Sequence, residues 1–257
     1  MPHGSSFPLI AARGLVVGYG GKGILPPLDL DVLKGEFWAL LGRNGSGKTT
    51  LIRTLLGLLP RVEGELRRAP ETGMSYVPQR TELDPTLPGR VVDFVRSGRD
   101  RGWSFLDPFP RDDGDGLRRA LQDARCADLA GEQMSHLSEG QKARAVLARA
   151  LGSNPNVLVL DEPTSNLDAS TEKAVFELLD ALRRERDLAL FVVSHRSELF
   201  INRATHAIYV DRSGGVAVAG SFAEITNSAS FVTRHGSISP SSPSAPSPPS
   251  PMPREET

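Results

Sequence analysis

Residues 42–50 read "GRNGSGKTT", and no other stretch constrains this chain as tightly. The run follows "EFWALL", apolar enough for a buried strand, and precedes "TTLIRTLLGLL", whose apolar spacing suits a helix ending before Pro60. A glycine-rich turn between a strand and a helix start lets backbone N–H groups close around phosphate oxygens, and the helix dipole favours their charge. The spacing G-x-x-x-x-G-K-[ST] places Lys48 to reach the β- and γ-phosphates and the Thr49 hydroxyl to hold Mg²⁺. Gly42, Asn44, Gly45, Ser46, Gly47, Lys48, Thr49 and Thr50 are therefore candidate nucleotide contacts. A bare glycine turn before a helix is the plainer alternative, and the strand–loop–helix setting argues against it.

A second motif is "VLVLDEP", residues 157–163. Four apolar residues suit a central parallel strand that delivers Asp161 and Glu162 at its C-terminal edge, where ligand sites in such sheets lie. Asp161 is a candidate Mg²⁺ ligand. Glu162 is placed to orient or deprotonate an attacking water. Two solvated acids ending a strand would look the same in isolation; after a phosphate loop they read as a site.

The third is "LSEGQ", residues 137–141, opening the helix "KARAVLARAL". Ser138 and Gly140 at a helix start make a second anion site. One ATP already enclosed by the first loop cannot use both in a compact monomer, so the pattern points to a paired arrangement.

Around these motifs, residues 9–41 alternate like short strands, and "GELRR" and "GMSYVPQ" read as two more. Residues 80–153 turn mostly helical, with a Pro/Gly/aromatic stretch, "RGWSFLDPFPRDDGDG", between the helices. Then "DASTEKAVFELLDALRRER" reads as an amphipathic helix, "LALFVVSH" as a buried strand and "HAIYVDRSGGVAVAG" as a hairpin. Strands alternating with helices imply an α/β fold with a mainly parallel sheet covered on both faces. From residue 236 the chain is Ser- and Pro-rich, and a disordered tail is expected over 236–257.

In this order and on these elements the three motifs resemble the ABC ATPase family over about residues 9–227. The resemblance implies a P-loop NTPase core with an N-terminal antiparallel β subdomain and a helical subdomain at about 80–153, together one ATPase domain over 1–235. It carries further residues with it. Gln79 in "YVPQ" matches the glutamine that touches Mg²⁺ and the attacking water. "SNLD", residues 165–168, matches the loop that crosses the dimer interface. His195 in "VVSH" matches the switch histidine at the γ-phosphate, and Tyr19 in "VVGYGG" the aromatic that stacks on adenine. Ser138, Gly140 and Gln141 would meet the nucleotide held by a second copy. ATP and Mg²⁺ are the implied ligands, with catalysis shared by Glu162, His195, Lys48 and Gln79. Two departures stand out. Glu139 replaces a glycine of the usual signature and is expected to point to solvent, where the helix dipole favours it. Arg43 stands at a variable position of a loop that binds through its backbone.

The implied work is transport: a homologous or identical second subunit, a polytopic membrane permease and a solute-binding protein are the expected partners. "YVPQRTELDPTLPGRVVDFVRSG" is similar to ATP-binding subunits of zinc/manganese-type uptake systems. Trp103, Phe105, Leu106 and Phe109 could form a docking patch for the permease, or a local aromatic core. Another cargo, export, or a soluble ABC ATPase remain open. With 30 basic and 31 acidic residues, no basic excess calls for nucleic acid. No apolar run approaches the roughly 20 residues needed to span a bilayer, and "MPHGSSFPLI" lacks the features of a secretory leader. The lone Cys126 fits a reducing compartment and reads as a packed helix residue. The expected location is the cytoplasmic face of the inner membrane, held there by a partner.

Overall fold

Strands whose every residue is buried sit in the middle of a sheet covered on both faces. Three segments meet that description: β5 (Phe37–Leu41), β8 (Val157–Asp161) and β9 (Ala189–Val193). The computed structural model describes residues 7–79, 89–99, 114–165, 167–194 and 196–235. In it these strands lie side by side in a six-stranded sheet of order β11-β10-β5-β9-β8-β7. The neighbours are β7 (Met74–Val77), β10 (His206–Asp211) and β11 (Val216–Ser221). All pairings are parallel except β10 with β11, the hairpin read from the sequence.

The N-terminal strands show the other pattern. β1 (Ile10–Val16) and β4 (Leu28–Val32) alternate buried and open residues, and with β6 (Glu63–Arg68) they form an antiparallel sheet, β4-β1-β6. A two-residue ribbon, β2 (Gly18–Tyr19) with β3 (Lys22–Gly23), projects from it. Because side chains alternate along β5, its two faces feed two cores. Trp38 and Leu40 join Leu51, Ile52 and Leu55 of α1 (Lys48–Leu56) and the antiparallel sheet. Phe37, Ala39 and Leu41 face Leu147 of α4 (Glu139–Leu151), Phe176 and Leu179 of α5 (Ala169–Arg186), and Phe200.

The helical segment contributes α2 (Val91–Arg96) and α3 (Gly114–Asp123), packed on α4. Two short helices, α6 (Phe222–Asn227) and α7 (Ala229–His235), close the described chain. Two helices are shorter than their apolar spacing suggests. α1 stops at Leu56 because Gly57 turns left-handed, φ 78°, and its N–H bonds back to Arg53 and Thr54. α3 stops at Asp123, and Arg125 turns left-handed at φ 52°, with its carbonyl accepting from Arg144 Nη1 at 2.7 Å. Cys126 follows, fully buried, its thiol pushed up to about 11 by burial. The docking-patch residues Trp103, Phe105, Leu106 and Phe109, and the tail 236–257, lie outside the described residues.

Candidate nucleotide site

Three neighbouring strands, β5, β9 and β8, end at the same edge of the sheet. They deliver Gly42, Ser194 and Asp161 beside one another. The loop after β5 is shaped by its glycines. Gly42 has φ 146°, and a Cβ there would lie 2.3 Å from the Val210 carbonyl oxygen and 2.7 Å from Ser46 Oγ. Gly47, φ 106°, begins α1 with no side chain capping the helix, so the first N–H groups are open to an anion. Lys48 is buried, and its Nζ donates to the carbonyls of Gly42 (2.8 Å) and Arg43 (2.9 Å), which holds the ammonium inside the loop. Burial lowers the Lys48 pKa; Glu162 and Asp161 counteract it. Ser46 Oγ is buried and has no hydrogen-bond partner among the described residues. An orphaned hydroxyl, an uncapped helix start and a buried ammonium in one loop fit a phosphate group.

Asp161 is buried at the end of β8. Its pKa is raised, first by burial and then by Glu162, against Lys48 and hydrogen bonds from Tyr76 and Thr49. Tyr76 Oη donates to Asp161 Oδ2 at 3.4 Å, and the phenol is pushed up to about 12. Tyr76 was not a sequence candidate; only the pairing of β7 with β8 brings it here. A buried carboxylate beside the Thr49 hydroxyl is the donor set a hard divalent cation takes. Because the raised pKa favours the protonated form in the folded state, Asp161 contributes stability at low pH. That contribution is lost as pH rises from its unfolded value, near 3.9, toward the folded one. Asp161→Asn is therefore expected to raise the unfolding midpoint of the nucleotide-free protein at neutral pH. The gain is about 2–4 °C for each kcal/mol recovered, and Mg²⁺-dependent ATP binding weakens. Calorimetry with and without MgATP checks both halves.

Glu162 has a left-handed backbone, φ 52°. Its N–H donates to the Val193 carbonyl at 3.0 Å, and its Oε2 accepts from Gln79 Nε2 at 2.5 Å. Tyr19, half-exposed on the β2–β3 ribbon, lies with its hydroxyl 3.1 Å from Thr50 Oγ1, on the first turn of α1. His195 lies outside the described residues.

Of the signature residues, Glu139 lines a hollow of about 330 Å³ together with Gln79 and Glu162, whereas Ser138 and Gly140 face away from the phosphate loop into another. Ser138 caps α4: its Oγ accepts from Gln141 N at 3.3 Å, and Gln141 Oε1 accepts from Ser138 N at 2.9 Å. The Gln141 carbonyl group is thus turned to its own helix start. Glu139 pairs with Lys142 Nζ at 2.7 Å, one turn along the same helix, and stays 55% exposed. Gly140 allows a close approach to α5, since a Cβ would fall 2.6 Å from Thr171 Cγ2. Ser138, Gly140, Asp168 and Thr171 line a hollow of about 700 Å³, whereas Gly42, Arg43 and Asn44 line another of about 390 Å³ with Ser194. The two motifs share neither hollow.

A phosphate loop between β5 and α1, with acids at the end of a strand in the same sheet, defines a P-loop nucleoside triphosphatase. The family profile described as ABC transporter matches residues 25–165, and the chain belongs to that family as an ATP-binding, ATP-hydrolysing transporter subunit. It is 33% identical over 228 residues to the zinc import ATP-binding protein ZnuC of Yersinia pseudotuberculosis serotype I (strain IP32953), covering 89% of this chain and 85% of that one. Identity to ZnuC of Ruegeria pomeroyi (strain ATCC 700808 / DSM 15171 / DSS-3) is 38% over 188 residues, 73% and 69% of the two chains. A solved inward-facing structure, described as an ABC transporter of the metal-chelate type, superposes with TM-score 0.78 at 25% identity, covering 89% of this chain and 88% of that one. The ADP conformation of the ATP-binding cassette MJ1267 superposes with TM-score 0.74 at 20% identity, 89% and 98% covered, a likeness of fold.

Proposed function

We propose that this chain powers the uptake of a zinc-type divalent metal ion by closing, as a pair, on two ATP molecules. The observation behind the pairing is the separation of the phosphate loop and the signature turn into different hollows of one chain. A second copy related by a two-fold axis would set each signature turn over the other copy's loop. The cargo follows from the relatives, two of which are named as zinc import proteins.

The chemistry assigns each residue a task. Tyr19 stacks on the adenine, and Lys48 with the N–H groups of residues 45 and 47–50 binds the phosphates. Thr49 and Asp161, with Gln79, would hold Mg²⁺, which when bound neutralises phosphate charge. Glu162 orients a water and takes its proton as the water attacks the γ-phosphorus; the Gln79 amide fixes that carboxylate. His195 contacts the γ-phosphate. From the second copy, Ser138 and the N–H groups of Glu139 and Gly140 at the start of α4 stabilise the developing charge, and Gln141, whose backbone N–H is taken by Ser138 Oγ, contributes through its side-chain amide. Glu139, already paired with Lys142, is directed along its own helix. ATP favours the closed pair and hydrolysis reopens it, a ligand-driven shift of population.

Among the described residues no helix is long and apolar enough to cross a membrane. The proposed setting is the cytoplasmic face of the inner membrane, on a polytopic permease fed by a solute-binding protein. In the source cell under zinc limitation, replacing Glu162 by Gln should stop growth and lower cell zinc. Added zinc should restore growth, and iron should not. Normal zinc content in that variant would remove the cargo assignment.

A further inference from the structure

The first turn of α5 holds a carboxylate that no step above uses. Glu172 is 3% exposed, and both of its oxygens are engaged. Oε1 accepts from Thr164 Oγ1 at 2.7 Å, itself a buried group. Oε2 meets Arg196 Nη1 at 2.5 Å, and the same guanidinium reaches Glu198 Oε1 through Nε at 3.0 Å. Thr164 lies two residues after Glu162, and Arg196 directly follows His195 in the chain. Glu172 therefore ties together the loops leaving β8 and β9. Those loops are already joined at their roots by the bond from Glu162 N to the Val193 carbonyl.

An ion pair with one partner half exposed, as Arg196 is, adds little stability, because water screens the attraction and holding the long side chain costs entropy. An apolar residue would fill the same place against the sheet. What a doubly engaged carboxylate adds is a fixed distance between two loops. The next residue back, Thr171, packs against Gly140, so the same helical turn also backs the signature motif.

The geometry points to Glu172 as a positioning residue for hydrolysis: through Thr164 and Arg196 it fixes the loop of Glu162 relative to the loop that carries His195. This rests on the hydrolytic roles proposed for Glu162 and His195. The effect acts on kcat and leaves ATP affinity alone, since Glu172 touches neither the phosphate loop nor Tyr19.

The test measures phosphate release, ATP affinity and thermal unfolding of the full chain in Glu172→Gln, Arg196→Gln and the double variant. Gln at 172 keeps an acceptor for Thr164 but loses the charge facing Arg196. The expected result is a kcat lowered about 10- to 100-fold in Glu172→Gln, the scale of a small misplacement at a reacting centre, with unchanged ATP affinity and unfolding midpoint. Arg196→Gln should lose kcat as well, and the double variant should lose no more than the worse single, as groups acting through one contact do. A wild-type kcat in Glu172→Gln, losses that multiply in the double variant, or a fall that tracks the unfolding midpoint would each overturn the inference. Glu162→Gln runs in the same assay: if it keeps full turnover, the role given to Glu162 fails, whatever the 172 series shows.

Discussion

Glu162→Gln should bind ATP with wild-type affinity and hydrolyse it about 100- to 10,000-fold more slowly, the range a positioned general base contributes. The amide keeps the size of the side chain and can still orient toward Gln79, so the loop after β8 should hold its shape. It cannot accept the proton of the attacking water. With binding intact and hydrolysis blocked, the closed pair should accumulate, and light scattering with ATP should report about twice the mass of the nucleotide-free chain. Lys48 and Asp161 remain in place, so a loss of ATP affinity would mean that Glu162 has a binding role. Full turnover would remove it from the chemistry.

Ser138→Arg should leave ATP binding at the phosphate loop unchanged and reduce turnover about 100- to 1,000-fold, the scale of losing one donor at a developing oxyanion. The reason is spatial: in a single chain Ser138 lines a hollow that contains no residue of the loop 42–50. In the proposed pair its effect on hydrolysis is exerted on the other copy's nucleotide. The wild-type rate per chain should accordingly rise with protein concentration until the pair saturates. A rate per chain independent of concentration from nanomolar to micromolar, together with an unimpaired Ser138→Arg, would leave a monomeric ATPase.

Much of the fold was readable because its signals are local. The apolar runs of β5, β8 and β9, the glycines of the loop at 42–47 and the turn between β10 and β11 each announce themselves within ten residues. The sequence does not announce which strands share a sheet. β5 follows β1 and β4 closely in the chain, yet it lies outside the antiparallel sheet of β1, β4 and β6 and inserts between β9 and β10. That choice depends on long-range burial of both of its faces. The same holds at the site. The phosphate loop and the acids at 161 and 162 were legible as motifs. Tyr76, Thr164 and Glu172 were not, since each matters through a contact across the fold: with Asp161 over 85 positions, with Glu172 over 8, and with Arg196 over 24. The ends of α1 and α3 were missed because a left-handed residue, at Gly57 and Arg125, overrode a continuing apolar pattern.

The backbone of Glu162 has an evolutionary corollary. A non-glycine residue held left-handed costs about 1–3 kcal/mol, and the cassette carries that burden at its proposed base. Glycine at 162 would relieve that backbone cost while removing the carboxylate, at the loss of its hydrogen bond with Gln79 and with a freer unfolded chain. An active copy persists only where selection keeps renewing an uncomfortable residue.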